Sequence, residues 1–346
     1  MAQAAAGATA GPSISFVIKT LNEEAKIARC LESVLEAAAE LAQSFEIIVA
    51  DSLSTDRTVE IARRYPVIVV QMQHLRDRGC GAGVQLGYQH SRGERVFLLD
   101  GDMELCTGFL PQAMARLDEN PRLAGVAGVL VDTAIRNTFD RYRVVNAVSS
   151  QARREKSLGG GGLYRREAIA ACGGYAADRN LKGWEEAELG MRLAAGGWEL
   201  ERIGVPSVRH TGHSAGTVAV LRSLWRSRRA MASGVLLRQA FRHPWWRAAL
   251  QMMIQPVLVL AMWVVLLVCL AGALATGAWW LPAAALAVVL LALAAFALRK
   301  RSLAHAATSF ALWHFHAASI VVGLFEPVVP PTRPIDSVRL PGAGAA

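Results

Sequence analysis

The chain has 346 residues, 53% of them hydrophobic, and a formal net charge of +9. That length fits one α/β domain of about 200 residues plus a second region. The five cysteines, Cys30, Cys80, Cys106, Cys172 and Cys269, have no CxxC or zinc spacing, which excludes a zinc module or disulfide framework and fits a reducing compartment.

Residues 1–13 are Ala/Gly-rich and read as a disordered tail. They lack a basic region followed by an apolar stretch, so no signal peptide is expected and the first domain is expected to be cytoplasmic. An apolar run over 14–18 leads into Asn22, Glu23 and Glu24 and a helical pattern through Ile27, Leu31, Val34 and Leu35, with Asn22 as its expected N-cap. A second strand over 45–50 ends at Asp51, a helix is expected over 55–65 and a third strand over 67–70. A Gly-rich turn and helix follow over 79–91, then a fourth strand over 95–99 that ends at Asp100. Strands alternating with helices predict βαβ units and a mostly parallel, Rossmann-like α/β sheet. Ligands of such sheets sit beyond the carboxyl ends of the strands, where Asp51, Asp100 and Asp102 fall.

The stretch 130–160 is polar and basic, with Arg136, Arg141, Arg143, Arg153, Arg154 and Lys156. A turn at 159–162 precedes re-entry into the sheet at Leu163 and Tyr164, and 183–196 reads as a helix with an acidic start. Residues 216–250 form a basic segment; Arg222, Arg226, Arg228, Arg229, Arg238, Arg242 and Arg247 have no acid among them. No nucleic-acid motif accompanies this charge, and its place before an apolar run points to lipid headgroups or a phosphate-bearing acceptor.

From Ala248 to Leu298 there is no Asp, Glu, Lys or Arg. The runs 254–275 and 279–298 are each long enough to span a hydrocarbon core, and their basic flanks predict an in–out–in hairpin in a bacterial-type inner membrane. A third segment over 303–325, with His305, His314 and His316, could span, re-enter or lie on the surface. Residues 326–346, with Pro327, Pro330, Pro331 and Pro334, are expected to be irregular.

Sugar transfer from a nucleoside diphosphate needs a nucleoside pocket, a divalent cation (Mn²⁺ or Mg²⁺) on the leaving group and, for a hydroxyl acceptor, a base. Asp100-Gly101-Asp102 offers two carboxylates that can share one cation, with Glu104 as an accessory ligand and His210 as another candidate; His213 lies close by. Asp51 can accept from a base N–H, and Asp56 can cap the next helix. Gly79, Gly81 and Gly83 allow either a tight turn or close approach to the nucleotide, and Arg78 is a candidate for the donor phosphates. Glu185, Glu186 and Glu188 open a helix; they serve as dipole partners, or one of the first two serves as base.

These residues resemble family 2 glycosyltransferases with the GT-A fold over about 14–213. The resemblance rests on Ser15 to Glu24, Glu46 to Thr58, Asp100-Gly101-Asp102 and Glu185 to Leu193. It implies an inverting, metal-dependent transfer. Glu186 takes the base position with Glu185 as rival, and Thr20, Asn22, Glu23, Asp51, Arg78 and Asp100 lie around the donor. Three departures stand out: Lys19 where many members have Pro, Ser52-Leu53 for the common Asp-Gly, and Glu186 for the commoner Asp. The Gln-x-x-Arg-Trp motif of processive synthases is absent, which implies one sugar per acceptor. The expected domains are a GT-A domain over 14–215, the basic surface segment and an α-helical membrane region over 251–325. The expected partners are a nucleotide sugar, a lipid-linked acceptor in exopolysaccharide or other surface-glycan assembly, and membrane lipids. Polyprenyl phosphate is the alternative acceptor. A non-catalytic scaffold with a degenerate fold is the reading of another class, and the intact acids at 51, 100, 102, 185 and 186 argue against it.

Overall fold

The computed structural model describes residues 11–132, 152–210 and 216–342. Arg136, Arg141, Arg143 and His213 lie outside the described residues. The chain divides into two compact units, Met1–Arg229 with Val328–Ala346, and Ala230–Pro327.

The first unit is a mixed, mostly parallel sheet flanked by helices. Its strands are β1 (Ile14–Thr20), β2 (Phe45–Asp51), β3 (Ile68–Met72), β4 (Arg95–Asp100), β5 (Met103–Leu105), β6 (Leu123–Asp132), β7 (Arg153–Glu155), β8 (Gly162–Arg165), β9 (Glu199–His210) and β10 (Ser337–Leu340). They run in the order β10-β3-β2-β1-β4-β8-β6-β9-β5, with β7 on β9. The connecting helices are α1 (Ile27–Ala39), α2 (Thr58–Ala62), α3 (Cys80–His90), α4 (Phe109–Glu119), α5 (Arg166–Ala171), α6 (Glu185–Ala195) and α7 (Thr217–Arg226). β1 is paired in parallel with β2 on one side and β4 on the other, so Thr20 sits opposite Asp51 and Lys19 opposite Asp100. The chain changes direction across the sheet between β1 and β4, the switch point where open sheets leave a crevice for ligands. A core of Phe16, Ile18, Leu31, Val49, Phe97 and Phe109, all buried, lies beneath that edge.

Local chemistry departs from the expected elements in three places. Asn22 does not cap α1: it adopts φ +58, and its side chain accepts from the Thr55 amide instead, so the helix begins only at Ile27. The second helix shrinks to Thr58–Ala62 because residues 52–57 are held in a turn by side-chain hydrogen bonds. The tail, expected to be irregular over 326–346, returns to the sheet as β10, antiparallel to β3. Arg179 donates to the Arg333 and Pro334 carbonyls, and Gln89 bonds both polar backbone groups of Ile335. These side chains satisfy the backbone of a proline-rich segment that has few amides of its own to offer.

The second unit contains α8 (Ala232–Ala240), α9 (Trp246–Met252), α10 (Ile254–Thr276), α11 (Trp280–Lys300) and α12 (Leu303–Gly323). Gly277, at φ +73, ends α10 in the left-handed cap that glycine tolerates without strain. α8 and α12 touch backbone to backbone: a Cβ at Gly234 would come within 2.2 Å of the Ile320 carbonyl, and one at Gly323 within 2.1 Å of that of Met231. Among the described residues, α10 and α11 are the two helices long and apolar enough to cross a membrane. They expose leucines and valines such as Leu267, Val268, Leu290 and Leu291.

Candidate active site

The site is assembled at the carboxyl ends of β1, β2 and β4. On the β2 side, Asp51 is fully buried and its two oxygens accept four protein hydrogen bonds. Thr20 Oγ1 donates at 3.2 Å, the Ser54 amide at 2.9 Å, Ser54 Oγ at 2.5 Å and Gln71 Nε2 at 2.8 Å. In this structure Asp51 therefore shapes the turn, with both oxygens engaged by protein donors. The two turns after β1 and β2 are laced together. The Asn22 amide donates to Ser54 Oγ, Glu23's to Thr58 Oγ1 and Glu24's to Asp56 Oδ2. Asp56 also accepts from the Thr58 amide and hydroxyl at the start of α2, the capping role expected of it. Arg78 does not reach out for phosphate here; its guanidinium donates to the Ser52 and Leu53 carbonyls at 2.9 and 2.5 Å. That brace holds Leu53 at φ +61, a left-handed conformation unfavourable for a residue with a Cβ.

The glycines of 79–83 also serve packing. A Cβ at Gly81 would lie 2.1 Å from the Asp178 carbonyl and one at Gly83 3.1 Å from Lys19 Cβ, so α3 rests directly on the 178–181 loop and on β1. Gly101 has the same kind of reason. A Cβ there would lie 2.8 Å from Thr20 Cγ2, so the residue between the two aspartates has to be glycine for the turn to sit against β1.

The β4 side is built from opposed charges. Lys19 Nζ lies 3.2 Å from Asp100 Oδ1 and 2.7 Å from Glu185 Oε1, with its side chain largely buried. Burial pulls the Lys19 pKa down, and the charges of Asp100 and Glu185 more than reverse this, leaving it well above the ordinary value. A small pocket beside it is lined by Asp100, Glu185 and Glu186 over an apolar floor of Val84, Leu98, Leu99 and Leu189. That floor desolvates the carboxyls. Burial and the neighbouring Glu185 raise Glu186 to about 8, partly offset by Lys19. Burial, Asp102 and Glu185 hold Asp100 above its ordinary value against the pull of Lys19. Burial and Asp102 raise Glu23 to about 7.

Asp102 Oδ2 faces Lys26 Nζ at 3.6 Å and His210 Nε2 at 3.4 Å. His210 arrives there because the end of β9 pairs with β5, placing it opposite Met103. Glu104, expected as an accessory ligand, points instead to Arg29 at 3.0 Å. Glu188 is also structural: it pairs with Arg192 at 2.5 Å and accepts from Tyr175 Oη.

Asp100, Asp102 and His210 offer the oxygen and imidazole donors that Mn²⁺ or Mg²⁺ accepts. Among the described residues no three such groups are gathered tightly enough to hold an ion, with Asp100 turned to Lys19 and Asp102 to Lys26 and His210. Burial first and neighbouring carboxylates second raise Asp100 and Glu23, so the acids offer a divalent cation oxygen donors in a poorly solvated place, while the lysines and His210 already engage Asp100 and Asp102.

Two residues joined the site without having been assigned a role from sequence. Lys19 stood out only as an unusual residue in the opening strand. Arg229 was one of seven arginines in a basic run, yet it lies in the field of Glu185, Asp100 and Glu186 and beside Gly183, whose Cβ would be 3.7 Å from the Arg229 carbonyl. Arg229 is exposed and pairs with no carboxylate among the described residues. Backbone strain concentrates here as well: of the five non-glycine residues at positive φ among the described residues, Asn22, Leu53, Trp184 and Arg228 flank the site or adjoin one of its residues.

The Glycosyl transferase family 2 model matches residues 15–173. These residues are a family 2 glycosyl transferase domain. Three of the stretches on which the resemblance rests, at 15–24, 46–58 and 100–102, fall inside the matched range, and the fourth, at 185–193, lies beyond it. A hexosyltransferase of low-salt glycan biosynthesis, Agl6 from Haloferax volcanii, is 38% identical over 91 residues, 26% of this chain and 21% of that protein. An undecaprenyl-phosphate 4-deoxy-4-formamido-L-arabinose transferase from Pseudomonas aeruginosa is 32% identical over 116 residues, 32% of this chain and 34% of that protein. The chain thus spans only a fifth to a third of the length of these curated relatives. Among solved structures, the mannosyltransferase PcManGT from Pyrobaculum calidifontis, in complex with GDP-Man and Mn²⁺, superposes with a TM-score of 0.55 at 23% identity, over 92% of this chain and 88% of that one. The likeness extends the GT-A fold assignment beyond the matched family segment.

Proposed function

We propose that the protein transfers one sugar from a nucleotide-sugar donor to a polyprenyl-phosphate acceptor at a membrane surface, as a step in surface-glycan assembly. The observation that carries this reading is the ammonium of Lys19 held between Asp100 and Glu185, with Arg229 against Gly183 just before the acids that open α6. An anionic acceptor has to approach these carboxylates, and a cation on the Glu185–Glu186 side offsets the repulsion. A phosphate oxygen attacks the anomeric carbon without losing a proton, so neither glutamate needs to act as a base. Relatives that name undecaprenyl phosphate and apolar helices α10 and α11 support the same acceptor class.

In this reading the donor lies over the turns after β1 and β2, with Thr20, Asn22 and Glu23 at its edge. Asp100, Asp102 and His210 would hold a divalent cation, which neutralises the diphosphate leaving group when bound. Lys19 holds Glu185 and Asp100 in place, and the apolar floor keeps water from the anomeric carbon. Displacement by the acceptor oxygen, as the diphosphate leaves with the bonding electrons, inverts the anomeric centre. The α10–α11 hairpin anchors the domain, with Arg247 and Arg299 to Arg301 on the cytoplasmic side.

A second reading has a lipid-linked hydroxyl acceptor with Glu186 as base. It draws support from the Glu186 pKa of about 8, near a working pH, where a general base is most effective. The test supplies detergent-solubilised protein with a panel of nucleotide sugars and either undecaprenyl phosphate or a lipid-linked saccharide, and follows nucleoside diphosphate release. Release stimulated by undecaprenyl phosphate and reduced at least 10-fold in Arg229→Gln is expected. Stimulation by the saccharide alone would replace this reading with the second.

A further inference from the structure

Lys19 touches both sides of the reaction. Its ammonium bridges Asp100, at the end of β4, and Glu185, at the start of α6, at 3.2 and 2.7 Å. Its position is fixed at both ends of the side chain. The backbone is locked in β1 opposite Asp100, and its Cβ packs so closely on α3 that a Cβ at Gly83 would come within 3.1 Å. A buried ammonium stays charged only while its carboxylates stay close, so removing it leaves Asp100 and Glu185 as uncompensated anions.

This arrangement bears on the order in which the cation and the donor bind. In the free protein, Asp100 already has a counter-charge. A divalent cation binding there alone meets an ammonium in contact with its own ligand, and the like charges repel. A nucleoside diphosphate arriving with the cation brings at least two negative charges to the same place and cancels that repulsion. We propose that Lys19 is a positioning residue that makes metal binding conditional on the donor: it occupies Asp100 in the free protein and yields it only to a metal–nucleotide complex. This rests on the metal reading above and goes beyond it, since a proline at this position would leave Asp100 open to the metal alone.

Mn²⁺ binding to the full-length protein in detergent, measured by titration calorimetry or by the free-Mn²⁺ signal in electron paramagnetic resonance, tests the idea. Measurements are made without nucleotide and with saturating UDP or GDP, whichever the wild type binds. The wild type should bind Mn²⁺ weakly alone and at least 10-fold more tightly with nucleotide. Lys19→Met should bind Mn²⁺ alone about 10-fold more tightly than the wild type and gain roughly threefold or less from nucleotide, while Lys19→Arg should behave like the wild type. Should Lys19→Met not fold, Glu185→Gln serves instead. It leaves the ammonium to Asp100 alone, so Mn²⁺ binding without nucleotide should weaken at least about threefold. Equal Mn²⁺ affinity of Lys19→Met and wild type, or tight binding by the wild type without nucleotide, overturns the proposal and leaves the metal reading standing. Absence of Mn²⁺ binding even with nucleotide removes the metal reading and this proposal together.

Discussion

Asp51 and Asp100 end the two strands that flank β1, and the sequence around them looks alike: an apolar run, then an aspartate. Their surroundings differ in kind. Asp51 is fully buried among four neutral donors that satisfy both oxygens. Asp100 shares one ammonium with Glu185, lies near Asp102, and keeps a raised pKa. The β2 side, where the proposed donor would lie, is therefore held by protein hydrogen bonds alone, as suits a surface that must recognise a fixed shape. The acid side is left with surplus negative charge, as suits a place where cation and diphosphate meet.

The most damaging way to probe this contrast is Asp102→Asn. It removes a charge from the crowded side and nothing from the packed core. Transfer should fall by ~10³-fold or more, about 4 kcal/mol of barrier, while the melting temperature moves little. Near wild-type turnover in the purified variant would show that no metal works at this aspartate. Asp51→Ala should do the reverse. It strands the donors of Thr20, Ser54 and Gln71 in a buried place and should destabilise the fold by roughly 2–4 kcal/mol in denaturant melts. If Asp51→Ala melted like the wild type, the β2 side would not be held as described.

Glu186→Gln comes next in size and separates the two acceptors. With a phosphate acceptor, turnover should fall less than about 10-fold; with a hydroxyl acceptor, the loss should be about 10²–10⁴-fold and the wild-type rate should rise with pH through about 8. Stability carries its own signal. The folded Glu186 pKa of about 8 lies above the unfolded value, so its stabilising contribution is complete below about pH 4.5 and is lost as pH rises through 8. Glutamine mimics the protonated form at every pH. Glu186→Gln should therefore match the wild type near pH 4.5 and exceed it by of order 1–2 kcal/mol at pH 8.5, after allowance for partial solvent screening. A constant difference between the two pH values would remove the raised pKa.

The strand-ending acids were legible from sequence because an apolar run followed by Asp is a local pattern, as were β1 to β4 themselves along the chain. The pairing of β5 with β9, which delivers His210 to Asp102, was not legible as topology: the two strands lie far apart in the chain, and no periodicity connects them. Side-chain direction was the second blind spot. Glu104 and Glu188 sit near functional acids in sequence and face Arg29 and Arg192 in space. β10 was hidden for a third reason. The prolines just before it suggest irregular chain, and the residues that hold that approach at 333–335, Gln89 and Arg179, lie far away in sequence. Lys19 was visible as an oddity, but its meaning depends on Glu185, 166 positions later.

The smallest predicted effect concerns Leu53, where the turn departs from the common glycine. At φ +61 its backbone is strained by roughly 1–2 kcal/mol, and Arg78 helps to hold it there through the Ser52 and Leu53 carbonyls. The leucine side chain returns part of this by packing, half-buried, against the cluster around Ile48 and Leu86. Leu53→Gly relieves the strain and loses the packing, so the two terms oppose and the net change should stay within about 1 kcal/mol. Leu53→Val keeps most of the apolar surface and adds a β-branch in the left-handed region, where it is disfavoured. It should therefore be the less stable variant by roughly 1 kcal/mol or more in parallel denaturant melts. Both should bind nucleotide with affinities close to wild type, since the Asp51 network and the Arg78 brace use backbone carbonyls and other side chains. If valine proved as stable as glycine, backbone strain would not be what this turn stores, and the common glycine would need an explanation from contact with the ligand.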